Sequence, residues 1–123
     1  MKYVVDSTMV EGVKKIPSRV SKLLLSEASV GARGFSMGQN VTAVGSRIPE
    51  HAHEASEEGM YIISGQGRLI TEEGEQELRA GMAIYMPPGV KHSILNTGDE
   101  ELKLVWVYCP PLPQHKTQQQ GGS

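Results

Sequence analysis

His51 and His53 stand one residue apart in the stretch HAHEASEE, with Glu54, Glu57 and Glu58 close behind, in a chain that has only four histidines. Imidazoles and carboxylates are ligands for divalent transition metals. On a β-strand residues i and i+2 project from the same face, so His51 and His53 can converge on one ion while Ala52 faces away. Residues 54–57 are small or charged and read as a turn, after which Glu58 opens a returning strand and can point back at the imidazoles. Alone, such a histidine pair is weak evidence, because histidines serve many roles on exposed edge strands. Further along, GMAIYMPPGVKHSILN, residues 81–96, sets a Pro-Pro-Gly turn shortly before His92 at the head of another strand.

Taken together, residues 45–65 and 81–96 closely resemble the two motifs of the cupin superfamily. Gly45, His51, His53, Glu58 and Gly65 match the first: glycine, five residues, HxH, three or four residues, glutamate, six residues, glycine. Gly81, Pro87, Gly89, His92 and Asn96 match the second: glycine, five residues, PxG, two residues, histidine, three residues, asparagine. The resemblance covers the middle of the chain, with fifteen residues between the motifs. It implies an all-β fold, a single conical β-barrel of jelly-roll type, in which His51, His53, Glu58 and His92 hold one divalent metal. Between the neighbours Glu57 and Glu58, the six-residue spacing to Gly65 selects Glu58. Three imidazoles and one carboxylate without thiolate suit Fe, Mn, Ni, Co or Zn, whereas Ca and Mg call for more oxygens. Four protein ligands leave two positions of an octahedral shell for a substrate, or for substrate beside dioxygen.

The elements that must position these side chains are short strands. Val, Ile, Leu, Thr and Tyr cluster between dispersed glycines and prolines, which is an all-β texture. Strands are expected over residues 3–5, 20–25, 34–44, 50–53, 60–64, 67–71, 75–78, 83–86, 92–96 and 102–108, with a helical turn somewhere in 7–16. Residues 1–25 are read as N-terminal strands, which the cupin resemblance implies can add to a neighbour's sheet in a homodimer, 26–110 as the barrel, and 111–123 as a flexible tail. His115 falls in that tail and is given no role. If Glu58 points inward, alternation carries Met60 and Ile62 with it, and His92 carries Ile94. On the last strand, Lys103 belongs outside, which puts Trp106 and Tyr108 inside. Arg47 at the barrel mouth, and Gln39 or its neighbour Asn40, are candidate polar groups of the pocket. Gly45, Gly65, Gly81, Pro87, Gly89 and Asn96 are read as holding corners, not as chemistry.

Composition narrows the function classes. Twelve basic and fourteen acidic residues with no dense Lys/Arg block speak against a nucleic-acid partner. One cysteine, Cys109, allows neither an internal disulfide nor a zinc ribbon. No run of about eighteen apolar residues suggests a membrane span, and a cytoplasmic location is expected. The expected ligand is a small molecule. A metal-dependent dioxygenase is favoured, because the inward set is mainly Met, Ile, Leu and aromatic. The alternatives are a non-redox isomerase, lyase or sugar-modifying enzyme, and a binding module without turnover.

Overall fold

In the strand β10 (Leu102–Cys109) every second side chain is shut away from water: Leu102, Leu104, Trp106 and Tyr108 are fully buried, while Lys103, Val105 and Val107 are only partly covered. This strand is the spine of the fold in the computed structural model, which describes residues 3–116. On one side β10 pairs antiparallel with β3 (Ser36–Thr42), and on the other with β5 (Glu57–Ser64). The remaining strands are β1 (Val13–Lys15), β2 (Arg19–Leu25), β4 (Arg47–His51), β6 (Gln66–Thr71), β7 (Gly74–Arg79), β8 (Ala83–Met86) and β9 (His92–Asn96). Two antiparallel sheets result, one in the order β1-β2-β3-β10-β5-β8 and the other β4-β9-β6-β7. The order fits a jelly roll. Among the described residues each strand ladder stays within its own sheet, so the barrel expected from the motifs is not closed by continuous pairing.

What joins the sheets is packing. One cluster of buried side chains takes Ile48, Leu69, Leu78 and Ile94 from the smaller sheet and Met60, Ile62, Leu104 and Trp106 from the larger. Each large aliphatic side chain removed from water in this way contributes roughly 1.5–3 kcal/mol. The chain must pass from sheet to sheet repeatedly, and all four motif glycines sit at such passages with positive φ: Gly45 at 75°, Gly65 at 92°, Gly81 at 92° and Gly89 at 80°. At Gly65 a side chain is excluded twice over, since a Cβ would also lie 2.6 Å from the Glu101 carbonyl oxygen. Asn96 ties two of the corners together. Its amide nitrogen donates to the carbonyls of Thr42, Ala43 and Glu100 at 3.1, 3.1 and 2.9 Å, and its oxygen accepts the Gly98 N–H at 3.0 Å.

The ends of the chain differ from the sequence expectation. Residues 3–5 form no strand, and the helical turn expected within 7–16 shrinks to one 3-10 turn, Ser7–Met9, because Val13–Lys15 pairs with β2 instead. A short helix α1 (Glu27–Val30) was not foreseen. It is capped by reciprocal Ser26 and Ser29 hydrogen bonds and stopped by Gly31 at φ 77°. The boundary drawn at residue 110 is too early. Leu112 and His115 are buried, and Pro113–Lys116 forms a helical turn, α2, against the larger sheet. A Pro-rich, polar composition suggested a free tail, but long-range contacts override it through residue 116; residues 117–123 lie outside the described residues.

Candidate metal centre

His51 ends β4, His92 opens β9, and the two are directly paired across the smaller sheet. Their ring centroids lie 4.2 Å apart. Both rings are anchored in the same local way: Nδ1 lies 2.9 Å from the carbonyl oxygen two residues earlier, Pro49 for His51 and Val90 for His92. Donation of the Nδ1 hydrogen to that carbonyl leaves Nε2 as the ligating atom. The carboxylate comes from the other sheet. Glu58, only 1% exposed, approaches His92 Nε2 with Oε1 at 3.1 Å. One ligand atom from each of His51, Glu58 and His92 lies within 4.8 Å of the others. Nitrogen and oxygen ligands about 2 Å from a shared ion stand at most about 4 Å apart, so the three groups would draw together on holding one.

The residues fit a cation. The Nε2 of His51 is buried and has no hydrogen-bond partner among the described residues, an arrangement that is costly unless something fills it. With Nδ1 already donating, His92 Nε2 would present a lone pair to a carboxylate unless a positive charge stands between them. A proton there serves in the metal-free protein. Burial draws the His92 pKa down, but the Glu58 hydrogen bond, the Val90 carbonyl and the Glu58 charge together raise it above its ordinary value. His51 is displaced the other way, held low by burial and by His92, against the opposing pull of the Pro49 carbonyl and Glu58.

His53 is not brought into this trio. The expected side-by-side projection needs a regular strand, whereas the β4 pairing shifts between Ile48 and His51 and the strand stops at His51. His53 lies in the loop that follows. Its ring centroid is 5.0 Å from that of His51 and 4.8 Å, edge-on, from that of Tyr108. The Gly89 N–H of the Pro-Pro-Gly turn donates to its carbonyl at 3.0 Å. His53 Nε2 is also buried without a hydrogen-bond partner among the described residues, and burial and the neighbouring His51 lower its pKa. The choice of Glu58 over Glu57 agrees with the strand parity: Glu57 is exposed and accepts the Tyr85 hydroxyl, a bond that raises the Tyr85 pKa.

Of the other candidates, Met60, Ile62, Ile94, Trp106 and Tyr108 are all buried. Gln39 and Arg47 do not face this interior. On β3 the buried positions are Ser36, Gly38, Asn40 and Thr42, so Asn40 faces inward and Gln39 outward, opposite Lys22 and Val105. Asn40 Oδ1 accepts the Thr42 hydroxyl at 2.7 Å. Arg47 is exposed, since the inward position at the start of β4 goes to Ile48. Between the edges of β7 and β8 a cleft of about 700 Å³ opens, with Leu69, Leu78, Met82, Ile84, Met86 and Val90 among its walls and Gln76 and Lys91 among its polar groups. It shares the turn at Pro87, Gly89 and Val90 with the metal centre.

Two antiparallel sheets in jelly-roll order around a cluster of two histidines and a glutamate that could hold a metal define a cupin, and the chain belongs to that family: the cupin domain model matches residues 41–108. Among its relatives, Protein SchB of Streptomyces halstedii is 36% identical over 93 residues, covering 76% of this chain and 67% of that protein. Polyketide synthase CurC of Streptomyces cyaneus is 33% identical over 93 residues, covering 76% of this chain but only 60% of the relative. The solved structure of the polyketide cyclase RemF from Streptomyces resistomycificus superposes with a TM-score of 0.80 at 21% identity, over 92% of this chain and 82% of that one, which shows the fold alone. No helix of the described residues is long and apolar enough to cross a membrane.

Proposed function

We propose that this cupin is a metal-dependent enzyme that carries out non-oxidative proton-transfer chemistry on a small carbonyl- or phenol-bearing molecule of the polyketide type. The observation that carries the reading is the trio of half-buried His51 with buried Glu58 and His92, in which the His51 Nε2 atom is itself shut off from water without a hydrogen-bond partner among the described residues, beside a mostly apolar interior. The relative called a polyketide synthase supports the substrate class. His51, Glu58 and His92, with His53 as fourth ligand, would hold one ion of Fe, Mn, Ni, Co or Zn, which supplies Lewis-acid polarisation of a bound oxygen. The walls of the cleft exclude water from the carbon skeleton. Tyr108, edge-on to His53 and fully buried, is the residue assigned to exchange a proton at the substrate oxygen. The residue types alone favoured an oxygenase; the relatives move the weight to the non-redox class.

Metal analysis of the purified protein, followed by assay with poly-β-ketone and phenolic compounds under air and under nitrogen, tests this. The expected result is about one metal per chain and turnover that is the same in both atmospheres. Turnover only under air, with oxygen uptake, would return the assignment to the oxygenases. We also infer a homodimer, supported by the exposed apolar residues Tyr3, Val4, Met9 and Ile16 beside the edge strand β1; light scattering should give twice the 13.4 kDa chain mass.

A further inference from the structure

Across the larger sheet runs a row of inward-facing residues. Ser36 on β3 is paired with Tyr108 on β10, Tyr108 with Glu58 on β5, and Glu58 with Met86 on β8. All four are buried. At the Ser36 end the row meets a residue from outside the family match, His115 on α2. Its ring is fully buried, with Nδ1 2.7 Å from Ser36 Oγ. It stacks on Trp106 with centroids 5.2 Å apart and planes at 17°, and its centroid is 5.7 Å from that of Tyr108. Tyr108 in turn stands edge-on to His53. The indole can lie where it does because β3 has Gly38 there; a Cβ at that position would sit 2.3 Å from Trp106 Cζ2.

We propose that His115 is a positioning residue of the metal centre: with Ser36 it fixes Tyr108, and through Tyr108 the ring of His53. A fully buried imidazole costs desolvation that a leucine of similar volume would not, and the Ser36 hydrogen bond only offsets that cost. What the polar choice adds is direction. A hydrogen bond between His115 and Ser36 fixes the imidazole in one orientation, and the stacked Trp106 and tilted Tyr108 rings then have one place to rest. The C-terminal turn thereby belongs to the site, although it lies more than twenty residues beyond His92 in sequence.

The inference rests on the metal-centre reading, so the test separates the two. Co(II) is titrated into the full chain and followed by its d–d absorption in the wild type, His51→Ala, His115→Leu, His115→Asn and Ser36→Ala. Binding by the wild type and none by His51→Ala establishes the centre by itself. His115→Leu and Ser36→Ala should then bind Co(II) roughly tenfold more weakly, with a shifted band, as is usual when a group supporting a ligand is removed. His115→Asn keeps a polar atom near the position of Nδ1 and should recover most of the loss. Trp106, the only tryptophan, reports through its fluorescence whether α2 is still packed. Wild-type affinity and band in both His115→Leu and Ser36→Ala would overturn the proposal and leave His115 as core packing. Should His115→Leu fail to fold, Ser36→Ala decides alone. A wild type that takes up no Co(II) would remove the metal reading and this inference together.

Discussion

The two sheets equip the centre in opposite ways. The smaller one supplies His51 and His92, each oriented by a hydrogen bond to a carbonyl only two residues back. The larger one supplies Glu58 and Tyr108, whose placement depends on a row reaching across β3, β10 and β5. Local anchoring makes the imidazoles insensitive to distant packing, whereas the carboxylate and phenol are only as well placed as the sheet around them. Since no strand ladder joins the sheets among the described residues, an ion bound by both would be a direct tie between them.

The largest effect should come from cutting that tie. His51→Ala and Glu58→Gln, one from each sheet, should each weaken metal binding by more than the ~10–100-fold that a supporting group costs, reducing metal content on elemental analysis to a trace. Loss from only one of them would mean that the ion does not tie the two sheets together. Next in size is stabilisation by the ion. At free metal about 1,000 times Kd the wild type should gain roughly 4 kcal/mol, read as a rise in Tm that is absent in both variants. Asn96→Ala should cost about 2–3 kcal/mol in urea unfolding, because carbonyls at the β3–β4 corner and in the loop before β10 lose their donor. The surviving folded protein should still bind metal.

A smaller effect is expected from pH in the metal-free protein. His51 and His53 have lowered pKa values, so their stabilising contribution is present above the unfolded value of about 6.5 and is lost as pH falls through their folded values. His92, raised mainly by Glu58 against its burial, has the opposite sign: its contribution is full below about 6.5 and is lost as pH rises through the folded value. Between pH 7 and pH 5 the two signs therefore oppose each other in the wild type. Glu58→Gln removes the support of His92 and the Glu58 charge that opposes the lowering at His51 and His53, so Tm of that variant should fall more, or rise less, than the wild type's between pH 7 and pH 5. The least effect should come from Tyr85→Phe. It deletes an exposed hydrogen bond on the outer face and should change stability by no more than about 0.5 kcal/mol, with metal content unaltered.

The same contrast explains what was legible in the sequence. His51, Glu58 and His92 were legible through the match of their spacing to the two cupin motifs, and the turns and strand parity that place them are short-range; the motif glycines stand at the sheet-to-sheet passages. Trp106 and Tyr108 followed from alternation with Lys103. Gln39 and Asn40 could not be separated, because SMGQNVT has polar residues of both parities and only the partners β2 and β10 decide which face is buried. His53 was misjudged as a strand residue, since nothing in HAHEASEE marks the shift in pairing before His51. His115 was hidden for a different reason: its burial depends on Ser36, seventy-nine residues away, and the composition around it argues for a loose end.

The adjacent glutamates of β5 carry one more consequence. A slip of one residue would turn Glu57 inward and still offer the site a carboxylate, so the chemistry is indifferent to which of the two is used. The apolar residues are not indifferent. The same slip would expose Met60 and Ile62 and bury Tyr61 and Ile63, against the alignment of β5 with β10 and β8. Fidelity of the ligand set is therefore policed during folding by side chains that never touch the ion.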